Sequence, residues 1–179
     1  MNEYGRSISV SQSKANTAQE IERLHPSAAR VATSLYGRGV RGPFCEFSAS
    51  TKSAADAAMA IGCELGAIAN CLVFVLDEEP IVILKSGAFR VDTHEFVLIA
   101  DGTTLRRASA EEVRAATGQP IGGVSPVGWP EELRVFIDDS LATYDEIWAA
   151  CGTPNAVFAT TYDELLTLTN ATAVSLSRP

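Results

Sequence analysis

The chain has 179 residues, 46% of them hydrophobic and 20% charged, with a formal net charge of −8. That balance describes one folded domain with an apolar core, and no apolar run approaches the roughly 20 residues a membrane helix needs. The acid excess excludes DNA as a partner, because non-specific nucleic-acid binding relies on Lys and Arg neutralising phosphates; an RNA contact must use a local basic rim, for which Lys52, Lys85, Arg90, Arg106, Arg107 and Arg114 are available.

The polar start lacks an apolar leader, so a cytoplasmic location with no membrane partner is expected. Four cysteines (Cys45, Cys63, Cys71, Cys151) and two histidines (His25, His94) show neither metal-ligand spacing nor material for a Cys–His pair. Buried thiols acting as small hydrophobes, no metal and no cofactor are the expectation.

Residues 1–19 read as a polar segment, loose or only partly helical, ahead of a single domain over 20–179. Pro26 opens a helix whose apolar stripe (Ala28, Val31, Ala32, Leu35) runs to Gly37. Phe44 to Phe47 is a short strand. Ser53 and Asp56 cap a helix ending at Gly62, and the spacing of Leu65, Ile68, Ala69 and Leu72 predicts a second one ending near Asn70. Leu72–Leu76 and Ile81–Leu84 form a hairpin, followed by a strand from Phe89 to Val91. Asp92 with Glu95 caps a helix through Ile99, and Ser109 with Glu112 forms a capping box for a helix ending at Gly118. Strands follow at Val135–Asp138, Glu146–Ala150 and Ala156–Ala159, then a helix capped by Thr161 with Glu164, then a strand at Ala173–Leu176. Trp129 and Trp148 are read as packing residues. Short strands mixed irregularly with short helices predict an α+β (mixed α/β) fold with a largely antiparallel or mixed, barrel-like sheet flanked by helices.

The glycine-rich loop Gly122-Gly123-Val124-Ser125-Pro126 allows close approach to its backbone amides, because two successive residues lack a Cβ. Together with Gly62-Cys63-Glu64-Leu65-Gly66, Ile68 to Phe74, Ser86-Gly87, Val135 to Asp138 and Gly152-Thr153-Pro154-Asn155, in that order and spacing, it resembles the YbaK/prolyl-tRNA editing domain family. That resemblance covers roughly Phe44 to Leu176 and implies a curled central sheet and hydrolysis of mischarged aminoacyl-tRNA. Its length implies a free-standing enzyme acting in trans on a small amino acid, with the tRNA 3′ end and an aminoacyl-tRNA synthetase as partners.

The ester is already reactive, since its α-ammonium withdraws electrons from the carbonyl, so a site needs positioning and N–H donors more than a nucleophile. Gly122 and Gly123 are expected to supply those amides, with Val124, Ser125 and Pro126 completing the substrate loop. The family reads Ile-x-Lys-[Ser/Thr]-Leu-Val-Phe where this chain has Ile68-Ala69-Asn70-Cys71-Leu72-Val73-Phe74. Asn70 therefore takes the place of a lysine that meets the tRNA end, and either orients the terminal nucleotide or leaves that task to Lys52 or Lys85. Thr51 is a candidate substrate contact, Asp138 either receives the α-ammonium or braces the glycine loop, and Gly152 and Thr153 would wall the amino-acid pocket. The competing reading is a non-catalytic module binding an aminoacyl or nucleotide-like ligand.

Overall fold

The computed structural model describes residues 17–47 and 53–176. Six helices are α1 (Thr17–Glu22), α2 (Pro26–Gly37), α3 (Ala54–Ile61), α4 (Thr93–Ile99), α5 (Ala110–Thr117) and α6 (Tyr162–Thr169). Eight strands are β1 (Phe44–Glu46), β2 (Ile68–Leu76), β3 (Glu79–Ser86), β4 (Leu105–Arg107), β5 (Arg134–Asp138), β6 (Ile147–Ala150), β7 (Ala156–Thr160) and β8 (Thr172–Val174). They make one mixed sheet in the order β1-β7-β6-β2-β3-β5-β8, with β4 also paired to β2. Helices cover both faces. On one side α2, α5 and α6 bury Leu35, Val113 and Leu165 against Val82, Leu84 and Ile137. On the other, Phe96 of α4 packs on Phe74, Ile83 and Phe136, while Ala57 and Ala58 of α3 pack on Ile68 and Trp148.

The local signals behave as the sequence predicts. Ser53 accepts from the Asp56 amide, Gly62 ends α3 in the left-handed region at φ 83°, and Ser109 and Thr161 each head a complete capping box. The mixed sheet agrees with expectation, but it is not a closed barrel. No pairing joins β1 to β8 among the described residues.

Three elements differ from the sequence reading. The helix expected to end near Asn70 is only a single 3-10 turn, Leu65–Ala67, and the chain is already in β2 from Ile68. Strand β2 is buried on both faces, so its apolar residues run nearly continuously and imitate helical spacing. No strand forms at Phe89–Val91, and β4, with one apolar residue in three, was not anticipated. The first 16 residues and Thr51 lie outside the described residues.

The β2–β3 hairpin turns on Asp77 (φ 48°) and Glu78 (φ 72°), both left-handed, as a two-residue hairpin requires. The Asp77 carboxylate accepts from the Thr103 and Thr104 amides, which holds its pKa below the usual range. No such hydrogen bond relieves Glu78 among the described residues, so Glu78→Gly is expected to stabilise the fold by about 0.5–1 kcal/mol. Urea denaturation would register this as a raised midpoint with an unchanged slope.

Strand β2 positions the site. One edge pairs with β3 from Ala69 to Leu76. The other edge is shared: β6 runs parallel to it at Ile68 and Ala69, and β4 antiparallel at Phe74 to Leu76. Between them, Asn70 to Val73 have no strand partner on that edge among the described residues. The sheet splits there, and ligand crevices form where neighbouring strands diverge.

Candidate functional site at the split in the sheet

A cavity of about 150 Å³ opens at the split, lined by Asn70, Cys71 and Leu72 of β2, Ala54 and Ala57 of α3, Trp148 and Ala149 of β6, and Gly122, Val124 and Pro154. A smaller groove of about 80 Å³ continues along the same edge past Arg107 and Ile121, sharing Cys71, Leu72, Gly122 and Val124. The cavity is well below the roughly 300–1,000 Å³ of drug-sized sites, so it suits a small group.

The loop from Gln119 to Gly128 forms one wall, and its backbone is divided in use. The Gly123 amide donates to Pro120 O at 3.0 Å and the Ser125 amide to Gln119 Oε1 at 2.6 Å. The amides of Gly122 and Val124 have no acceptor among the described residues, and these two residues face the cavity. Ser125 is fully buried. Its hydroxyl accepts from Gln119 Nε2 and donates to Val127 O, and its carbonyl accepts from Trp129 Nε1 at 2.9 Å and the Cys71 thiol at 3.5 Å. Gln119, not anticipated from sequence, is the knot that fixes the loop. Its signal was a lone amide beside Pro120, too common to single out.

Gly123 has a steric role instead of the donor role expected for it. A Cβ there would sit 2.6 Å from the Thr153 carbonyl carbon and 2.8 Å from the Pro154 nitrogen, so the loop lies directly on the Gly152–Pro154 turn. The loop and the turn are thus in direct backbone contact. Their residues face opposite ways: Gly122, Val124 and Pro154 line the split, whereas Gly152 and Thr153 line a separate cavity behind, and Pro126 borders a third. The expected substrate loop is thus brought to the site by Gly122 and Val124, not by Ser125, Pro126, Gly152 or Thr153.

Asn70 is a strand residue, half-buried, at the seam between the Ile68–Trp148 and Phe74–Phe136 clusters. It pairs directly with Lys85, so the two side chains share a face of the sheet. Leu84 pairs with Ile137, which places Asp138 one step on, beside Lys85 and on that face. A polar row, Asn70–Lys85–Asp138, therefore crosses three strands. Lys85 is only 4% exposed, and its Nζ donates to Ser86 O at 2.6 Å. Burial lowers its pKa to about 8, opposed by the Asp138 carboxylate and reinforced by Arg107 and Arg90. Asp138 is fully buried and accepts from the Ser140 amide at 3.2 Å and the Ser140 hydroxyl at 2.8 Å, capping the turn after β5. It sits beside Lys85.

Cys71 lines the cavity, yet burial pushes its thiol well above the ordinary value, which removes it as a thiolate nucleophile. Among the described residues no three His, Cys, Asp or Glu side chains gather to hold a metal, and no helix is long and apolar enough to cross a membrane.

A helix-flanked mixed sheet thus holds a small crevice, walled by main-chain amides with no acceptor among the described residues and bordered by Asn70, whose cross-strand neighbour is the buried Lys85. The chain belongs to the aminoacyl-tRNA editing domain family, whose model matches residues 48–168. It is 33% identical over 121 residues to YwhH of Bacillus subtilis, covering 67% of this chain and 76% of that protein. It is 31% identical over 74 residues to the proline–tRNA ligase of Latilactobacillus sakei, but spans only 13% of that ligase. Among solved structures, one described as a candidate trans-editing enzyme for prolyl-tRNA synthetase superposes with a TM-score of 0.81 at 43% identity, covering 87% of this chain and 99% of the other. Protein APE2540 superposes with a TM-score of 0.76 at 25% identity, over 83% and 99%.

Proposed function

We propose that the chain is a deacylase that removes a small, wrongly attached amino acid from tRNA. The observation that carries this reading is the open crevice where the sheet splits along β2, walled by Gly122 and Val124, whose amides have no acceptor among the described residues. In the reaction, the side chain of the amino acid occupies the crevice beside Ala54, Ala57 and Leu72. Water adds to the ester carbonyl carbon, and the two amides receive the developing oxyanion, a contribution worth about 10²–10³ in rate per donor. The tetrahedral species then expels the ribose oxygen, which takes up a proton, leaving the free amino acid and a tRNA with an intact terminal hydroxyl. No side-chain nucleophile is required.

The positive charge that the family places on β2 is absent, because position 70 is asparagine. Lys85, directly across the ladder, supplies it from β3. Asn70 orients the terminal ribose with its neutral amide. Arg107 and the exposed Ile121, along the adjoining groove, flank the last nucleotide. The prolyl ligases and the candidate prolyl trans-editing enzyme among the relatives make proline-accepting tRNA the first substrate to try.

The test is a panel of proline tRNAs charged with alanine, cysteine, serine, threonine or proline. Rapid release of one of the small amino acids, with prolyl-tRNA spared, is the expected result. Binding without turnover of any of them would favour the non-catalytic module that Asn70 first suggested.

A further inference from the structure

Across the loop–turn contact from the candidate site lies a second cavity of about 470 Å³. Its floor is Val31, Gly152 and Gly128, and its rim carries Arg30 from α2 and Arg114 from the last turn of α5. Both arginines are exposed, and neither has an ion pair or side-chain hydrogen bond among the described residues. Among the described residues no Asp or Glu lines the cavity. The chain has 22 acidic and 14 basic residues, yet neither of these guanidinium groups meets a carboxylate among the described residues. By contrast, the neighbouring cavity that holds Arg38 and Arg134 also holds Glu131 and Glu132.

Glycine at the floor of this hollow lets the chain pack closely against α2. A Cβ on Gly152, at φ 82°, would come within 2.7 Å of Val31 Cγ2. Gly128, at φ 84°, also borders the floor. The two cavities are neighbours across the loop–turn contact of Gly123 with Thr153 and Pro154: Thr153 lines this hollow and Pro154 lines the crevice.

We propose that Arg30 and Arg114 form a phosphate-binding site for the backbone of the tRNA acceptor end, separate from the site that holds the ester. Guanidinium forks suit phosphate oxygens in a way that a flexible ammonium does not. This inference rests on the deacylase reading for the identity of the nucleic acid, but not for the existence of the site. It accounts for how an acidic protein holds a polyanion: the cations are few, and they are grouped in the cavity next to the crevice.

The experiment uses the full chain and the Arg30→Ala/Arg114→Ala double variant, with melting curves to show that both are folded. Binding is followed by fluorescence anisotropy with a labelled acceptor-stem minihelix and with a cytidine-cytidine-adenosine trinucleotide, over a series of salt concentrations. Turnover is followed with aminoacyl-adenosine, which has no acceptor backbone. The double variant should bind the minihelix about 10-fold more weakly or worse, with a log–log salt slope reduced by about 1.5. Trinucleotide binding should weaken in the same direction, because the trinucleotide carries the phosphates nearest the reacting end, and aminoacyl-adenosine turnover should not change. Equal minihelix affinity and salt slope in the two proteins overturn the proposal, as does a wild-type protein that does not bind the minihelix. Competition by inorganic phosphate alone, with no arginine-dependent minihelix binding, makes this a small-anion site and overturns it too. So does an unchanged minihelix affinity coupled to lost association with prolyl-tRNA synthetase, which would give the surface to a protein partner. If arginine-dependent binding is found but no ester is cleaved, the deacylase reading fails and this site stands.

Discussion

Replacing Gly123 with valine should abolish deacylation, lowering turnover by about 100-fold or more, because it displaces the wall that carries the oxyanion donors. The atoms a Cβ would meet, at 2.6–2.8 Å, belong to the backbone of Thr153 and Pro154, not to a side chain that could swing away. Either the Gly152–Pro154 turn retreats or the 119–128 loop lifts, and in both cases Gly122 and Val124 leave their places. Overpacking of this kind costs about 1–3 kcal/mol, so the variant should still fold, with a lowered urea midpoint. Gly122→Ala provides the comparison. Its Cβ meets nothing nearer than 3.9 Å, so its cost is limited to the left-handed backbone at φ 83°. If Gly123→Val keeps wild-type turnover, the glycine loop is not part of the site.

The second large effect concerns Lys85. Lys85→Asn should lower kcat/KM by about 10- to 100-fold, the cost of a lost charge-assisted contact. Restoring the cation across the ladder, in Asn70→Lys/Lys85→Asn, should recover most of it, because the two positions are directly paired on one face. Adding Asn70→Lys alone sets two ammonium groups side by side and should not help. Failure of the double variant to recover activity would show that the charge acts only from β3.

Lys85 also carries a signature in stability. Its pKa falls from 10.5 to about 8 because burial disfavours the ammonium. Between those values the unfolded chain holds more protons than the folded one, so wild-type stability rises as pH increases from about 8 to 10.5. Below pH 8 the cost of keeping the buried charge is fully present, about 3 kcal/mol from the size of the shift. Lys85→Met should lose this rise. Urea midpoints of the two proteins, measured from pH 7 to 10.5, should converge or cross in that window, and parallel curves would exclude a buried, pKa-shifted lysine.

What could be read from the sequence divides along physical lines. Caps are local: Ser109 with Glu112, Thr161 with Glu164, and Asp92 with the amides of His94 and Glu95 each need only three or four residues, and all formed where expected. Elements decided by distant partners were harder. Strand β4 exists because Leu105 to Arg107 meet Leu76 to Phe74, and its own residues carry almost no strand signal. The loop at Gly122 was legible because paired glycines have few other uses. Which way each residue faces was not, since Thr153 and Pro154, adjacent in sequence, look into different cavities. The neighbour of Asn70 was equally hidden, because register across a hairpin depends on turn length, and the turn proved to be two residues long.

The parting of β6 and β4 along β2 has a bearing on how such a domain can change its preference. In the mechanism proposed, rate comes from peptide groups, which every amino acid possesses, and the width of the opening is set by where three strands run. Selectivity falls to the side chains of Ala54, Ala57 and Leu72, which border the opening without taking part in the chemistry. Point mutations at those three places can enlarge or shrink the accepted amino acid while leaving the reaction machinery untouched, so one scaffold can diversify into enzymes for different errors without passing through inactive forms.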